Sequence, residues 1–225
     1  MFTQNKNGFS LVELMIGLAL VGFIIITVFN AFLGAYRHQR VQEQVTEIQQ
    51  LERISMEFIT RDLRLTGLDP EKTTGAGVVA VGDNILQLTL DSFQDLNGDG
   101  DYDDAGEAPN GILDRPDEGI TYRRENVDPT TGLGDLTKEF GGFSYNGFNI
   151  PSDMNRPKLT VAQGVHQFKT GYNTPQQTVD VTLEIVEREE DPRFLSGIDL
   201  DGNSGNGTAH SRLIQTTVAL RNLLF

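Results

Sequence analysis

At 225 residues the chain is long enough for one globular domain with a sizeable core plus a further element. Its net charge of −14 lies almost wholly after residue 37, which sets the body against phosphate backbones and argues against nucleic-acid binding. There is no cysteine, so a lipidated cysteine anchor, disulfide staples and thiolate metal sites are excluded, while the compartment stays open.

The first eight residues, Met1-Phe2-Thr3-Gln4-Asn5-Lys6-Asn7-Gly8, are polar and carry one positive charge. From Phe9 to Tyr36 the chain is almost wholly apolar, and about 20 such residues suffice to cross a bilayer as a helix. Lys6 favours keeping the leading end in the cytoplasm. A secretory signal peptide would have a shorter apolar core with a small-residue cleavage site after it, whereas here the small residue comes first. A plain membrane anchor fits the length but leaves Glu13 unexplained, because a carboxylate in a membrane helix costs roughly 2.5–3.5 kcal/mol even on lenient insertion scales. A buried core helix would show polar residues on one face, and this run has almost none.

Gly8-Phe9-Ser10-Leu11-Val12-Glu13 resembles the processing site of type IV prepilins and of type II secretion pseudopilins. The resemblance implies that a prepilin peptidase and methyltransferase cuts after Gly8 and methylates the new amino group of Phe9. It also implies that Glu13, about one turn on, pairs with such an amine of a neighbouring subunit; pairing with its own terminus is the plain alternative. The implied partners are other major and minor pilins, the inner-membrane assembly platform and the lipid bilayer. The implied location is the bacterial inner membrane, crossed once with the amino terminus cytoplasmic, and then a periplasmic or extracellular filament. Each position suits that chemistry: glycine lets the backbone lie extended in a protease cleft, and pairing offsets the burial of both charges.

After the spanning segment (9–36), the stretch 37–68 is an amphipathic continuation of the same helix. It lacks Pro and Gly as far as Leu65. Val41, Val45, Ile48, Leu51, Ile54, Phe58 and Leu65 follow helical spacing and are expected to form its buried stripe, with Glu43, Gln44, Glu47, Gln50 and Arg61 opposite. Gly67 and Asp69-Pro70 supply the stop. The head, 69–225, then reads as strands over 76–81, 84–90, 119–124, 164–170, 179–185 and 214–220. The fold class is α+β: one long helix packed on an antiparallel sheet, as in pilins. Arg61-Asp62-Leu63-Arg64-Leu65-Thr66-Gly67-Leu68 is similar to the helix ending of PilW-type minor pilins, with Thr66 and Leu68 replacing alanine and tyrosine. Gln215 to Asn222 is similar to their last strand, and pseudopilin J of type II secretion is built similarly.

In the middle of the chain, Asp95, Asn97, Asp99, Asp101 and Asp103 place oxygens at alternate positions with Gly100 sixth, like the first half of an EF-hand calcium loop. The twelfth position is Gly106, with Glu107 one place later, so the expected calcium set is Asp95, Asn97, Asp99, Asp101, Asp103 and Glu107. A solvated acidic turn is the plain alternative. Asp199 to Asn203 is a shorter turn of the same kind. His38, His166 and His210 have no serine or carboxylate at a recognisable spacing, and the acidic loops offer no apolar cleft, so no enzyme is expected. A reading from another class is a membrane-anchored calcium-binding or adhesive domain that keeps its leader.

Overall fold

The apolar and amphipathic runs form one uninterrupted helix, α1 (Leu11–Leu65). The computed structural model describes residues 11–91, 109, 111–186 and 211–222. Among the described residues nine strands follow α1: β1 (Val78–Gly82), β2 (Ile85–Thr89), β3 (Gly119–Glu125), β4 (Gly134–Phe140), β5 (Phe143–Tyr145), β6 (Phe148–Ile150), β7 (Leu159–Asn173), β8 (Thr178–Val186) and β9 (Ser211–Ala219). The chain divides between Thr46 and Glu47 into two units.

In the first unit the described chain is all helix, and it is long and apolar enough to span a bilayer. Its large apolar side chains, among them Leu11, Ile16, Phe23, Ile25 and Phe32, are exposed. A helix satisfies its own backbone polar groups, which is the requirement for entering lipid. Thr27 meets the same requirement by donating its hydroxyl to the Phe23 carbonyl at 2.9 Å.

In the second unit, Glu47–Leu65 of α1 packs on a seven-stranded sheet of order β1-β2-β3-β4-β7-β8-β9, with every neighbouring pair antiparallel. The expected α+β class is therefore present. Val179, Val181, Leu183 and Ile185 alternate along β8 with at most 1% exposure, the inward face of a one-sided strand. They meet Ile59 and Leu63 of the helix, Leu86 and Leu88 of β2, and Phe168 of β7 in one core cluster. Burying each such side chain contributes about 1.5–3 kcal/mol.

The fifteen-residue β7 serves two neighbours, β4 through its first half and β8 through its second. Gly164 sits at the changeover with φ +71, and a Cβ there would lie 2.7 Å from the Val186 carbonyl oxygen. Gly67 ends the helix as expected, in the left-handed region at φ +79, and its N–H crosses to the Thr89 carbonyl at 3.0 Å. The side-chain amide of Asn222 then reaches the carbonyls of Arg64, Leu65 and Thr66 at 3.0, 3.3 and 3.4 Å. Those oxygens have no partner within the helix.

Two sequence expectations need correction. Six strands were expected; β4, β5 and β6 were not. β4 reads Gly-Asp-Leu-Thr-Lys-Glu-Phe, and its alternation is hidden because buried Lys138 occupies an inward position beside Leu136. The buried stripe of α1 is also rotated from the expected one. Ile48 is buried, but Ile54 and Leu65 are 50% and 45% exposed. The buried positions are Ile48, Glu52, Ser55, Met56, Ile59, Asp62, Leu63 and Thr66. Their spacing is helical, but half are polar, so apolar periodicity passed over this face.

Each buried polar group on that face has a specific partner. Asp62 Oδ2 lies 2.6 Å from Lys138 Nζ and accepts the Tyr122 hydroxyl at 2.5 Å. Lys138 Nζ also lies 4.7 Å from the centre of the Phe140 ring. Burial, then the Asp62 charge, pushes the Tyr122 hydroxyl far up, so it stays a donor. Glu52 is held by Arg212 Nε at 2.6 Å. Ser55 donates to the Leu51 carbonyl at 2.7 Å. Replacing Asp62 by Ala leaves the Lys138 ammonium buried with no anion. That should cost about 3–5 kcal/mol of stability, read as a lowered midpoint in urea unfolding, whereas the surface change Glu47→Ala should cost almost nothing.

Candidate functional site

Glu13 lies in the first turn of α1. Helical spacing places Ile16 and Gly17 one turn on, and Leu11, Leu14 and Ile16 around it are all exposed apolar side chains. Among the described residues no Lys, Arg or His pairs with Glu13. The arrangement is thus a single carboxylate set in an exposed apolar surface, able to take a cation brought from elsewhere. Gly8 and Phe9, the expected cleavage site and new amino terminus, lie outside the described residues.

The expected calcium ligands Asp95, Asn97, Asp99, Asp101, Asp103 and Glu107 also lie outside them, as does the Asp199–Asn203 turn. The residues on either side of the first acidic segment are described and closely tied. Asp91, fully buried, accepts the Gly111 N–H at 3.0 Å, and its own N–H donates to the Leu68 carbonyl at 2.7 Å. Thr73 donates to the Gly111 carbonyl at 2.7 Å. The chain therefore leaves and re-enters the fold at one place. Just beyond it, Glu118 Oε2 accepts the N–H groups of Asp114 and Arg115, both at 2.8 Å. Among the described residues no group of three or more His, Cys, Asp or Glu is arranged to hold a metal ion.

Three features of this region escaped the sequence reading. Asp69 caps the turn after α1: burial alone would raise its pKa, but the Thr74 side chain and the Gly75, Thr73 and Thr74 N–H donors hold it below the usual value. The Asp of the Asp-Pro helix stop is this cap. His166 lies at the irregularity of β7 between Val165 and Gln167 and meets Glu184 of β8 at 3.0 Å, a pairing made by the fold and not by sequence spacing. Glu118, fully buried, was not singled out at all.

Among known proteins, residues 3–29 match the family described as the prokaryotic N-terminal methylation motif. Neither the comparison with curated proteins nor that with solved structures gives a match.

Burial pushes the Glu118 carboxyl up to about 7 from 4.5, with the Asp91 charge adding to the shift and the two backbone donors and Arg115 opposing it. The folded chain then keeps this proton where the unfolded chain has released it. Stability should fall as pH rises from about 4.5 to about 7. Thermal melts across that window should show the decline in the native chain and a shallower one in Glu118→Gln.

Proposed function

We propose, for a chain that its amino-terminal methylation motif places in the type IV prepilin and pseudopilin superfamily, that it is a PilW-type minor pilin. It is anchored in the inner membrane by α1, processed after Gly8 by prepilin peptidase, and built into a type IV pilus in priming, assembly or at the tip. The observation that carries this reading is Glu13, alone among exposed apolar side chains at the start of a membrane-length helix. Removing that surface from water without neutralising the carboxylate is costly. The methylated amine of a neighbouring Phe9 is a cation at the right depth to neutralise it.

The minor-pilin assignment rests on two sequence segments. Arg61–Leu68 contains Asp62, whose carboxylate joins α1 to β3 and β4. Gln215–Asn222 contains the side chain that caps α1. Pseudopilin J of type II secretion is the alternative reading on the same residues. The role is structural: the chain contributes surfaces and not a reaction.

Calcium in the 95–107 segment belongs to this proposal as a structural cation. Five acidic groups within nine residues repel one another unless a cation or salt screens them. The tie between Asp91 and Gly111 would make such a cation stabilise the head.

Mass spectrometry of the native protein should find an N-methylated Phe9 at its start; an intact Met1 end would overturn the proposal in favour of a domain that keeps its leader. Glu13→Ala should still be cleaved, yet co-purify with the major subunit at no more than about a tenth of the native amount, given the tenfold weight of each 1.4 kcal/mol. Melting the protein in calcium and then in chelator should give a lower midpoint in chelator. Identical curves would remove calcium from the account and leave the filament reading untouched.

A further inference from the structure

A groove of about 620 Å³ runs between α1 and β9. It is lined by Met56, Leu65 and Ile214 together with Arg53, Arg61 and Arg64. Glu57 is the carboxylate that lines it. Three separate observations converge there.

The first is charge. In a chain of net charge −14, three arginines gather on one short stretch of helix. Arg53 and Arg64 have no anionic partner among the described residues. Arg61 lies 3.6 Å from Asp62, whose carboxylate is already engaged by Lys138 at 2.6 Å. The second is backbone. β9 is the last strand of the sheet, and among the described residues nothing pairs with its outer edge. A free edge presents unpaired N–H and C=O groups ready to accept another strand. The third is apolar surface. Leu65 is half exposed in the groove, and Ile54 is half exposed next to Glu57, Phe58 and Arg61. Arginine with exposed aliphatic and aromatic side chains is the composition of a protein-binding patch, not of a solvated helix face.

We propose that the α1–β9 groove takes an extended acidic segment of a partner protein, which adds to the free edge of β9 as an eighth strand. Along a strand every second side chain points to the same face, about 6.8 Å apart. Carboxylates at alternate positions of the added strand therefore fall on the helix side, among the three guanidinium groups, while its main chain pairs with β9. Backbone pairing supplies affinity and the charges select the partner. This goes beyond the filament reading and does not depend on leader cleavage.

The test uses the full-length protein in detergent and a labelled, capped eight-residue peptide of alternating valine and glutamate, followed by fluorescence anisotropy. The native protein should bind it saturably, and the same peptide with lysine for glutamate should not bind. The double variant Arg53→Glu, Arg64→Glu should weaken binding at least about tenfold, and raising the salt should weaken binding to the native protein. Should the charge reversal lower the thermal midpoint, the neutral pair Arg53→Gln, Arg64→Gln carries the same comparison. A photo-reactive residue at Leu213, exposed on β9, should cross-link to the peptide. Absence of saturable binding, equal binding by the charge variants, or equal binding of the lysine peptide overturns the proposal. A cross-link confined to a second copy of the chain, or to its own 187–210 segment, also overturns it and names that occupant instead.

Discussion

An ionised carboxylate removed from water needs a cation or a set of hydrogen-bond donors, and α1 carries this constraint at both ends. Near its carboxyl end the chain meets it internally. Asp62 is held between Lys138 from β4 and Tyr122 from β3, with the aromatic rings of Tyr122 and Phe140 around the ammonium. Because Asp62 is on the helix and its partners are on adjacent strands, the pair fixes which face of α1 meets the sheet and at what height. A buried charge and its counter-charge are more directional than the apolar contacts around them. Glu13, in the first turn, has the same need with no such partner among the described residues. The proposed assembly role follows from that difference.

The parts of the fold legible in the sequence were those where one simple period dominates. The unbroken apolar run and the alternation of Val179, Val181, Leu183 and Ile185 are of this kind, and so is Gly67 at the helix end. The parts that were not legible are those where a polar side chain stands at a buried position. Glu52, Ser55, Asp62 and Thr66 lie on the buried face at helical spacing, and that spacing was present in the sequence. The signal was lost by weighting only apolar residues, which turned the stripe toward Ile54 and Leu65. Lys138 hid β4 in the same way. A carboxylate on one element and a lysine on another identify each other only after folding brings them together.

The candidate site divides along the same line. The cleavage motif and Glu13 are local patterns and are readable as such. The buried carboxylates Asp91 and Glu118 beside the acidic segment are not, because folding brings residues distant in sequence together there, Leu68 and Gly111 on Asp91 and Leu90 on Glu118. Ile54 and Leu65, which have the spacing of core residues, are exposed beside Arg53, Arg61 and Arg64.

The Asn222 cap has a consequence for the order in which the protein is finished. Helix α1 is synthesised early, yet the Arg64 carbonyl at its end is met by a side chain 158 residues later. The counter-charge of buried Glu52 likewise arrives only with β9. During synthesis the helix therefore waits with an open end and an unmatched acid until the last strand emerges, and contacts this distant in sequence form slowly. A nascent chain already held in a bilayer by its first unit is confined through that interval, and aggregation with other incomplete chains is correspondingly restricted.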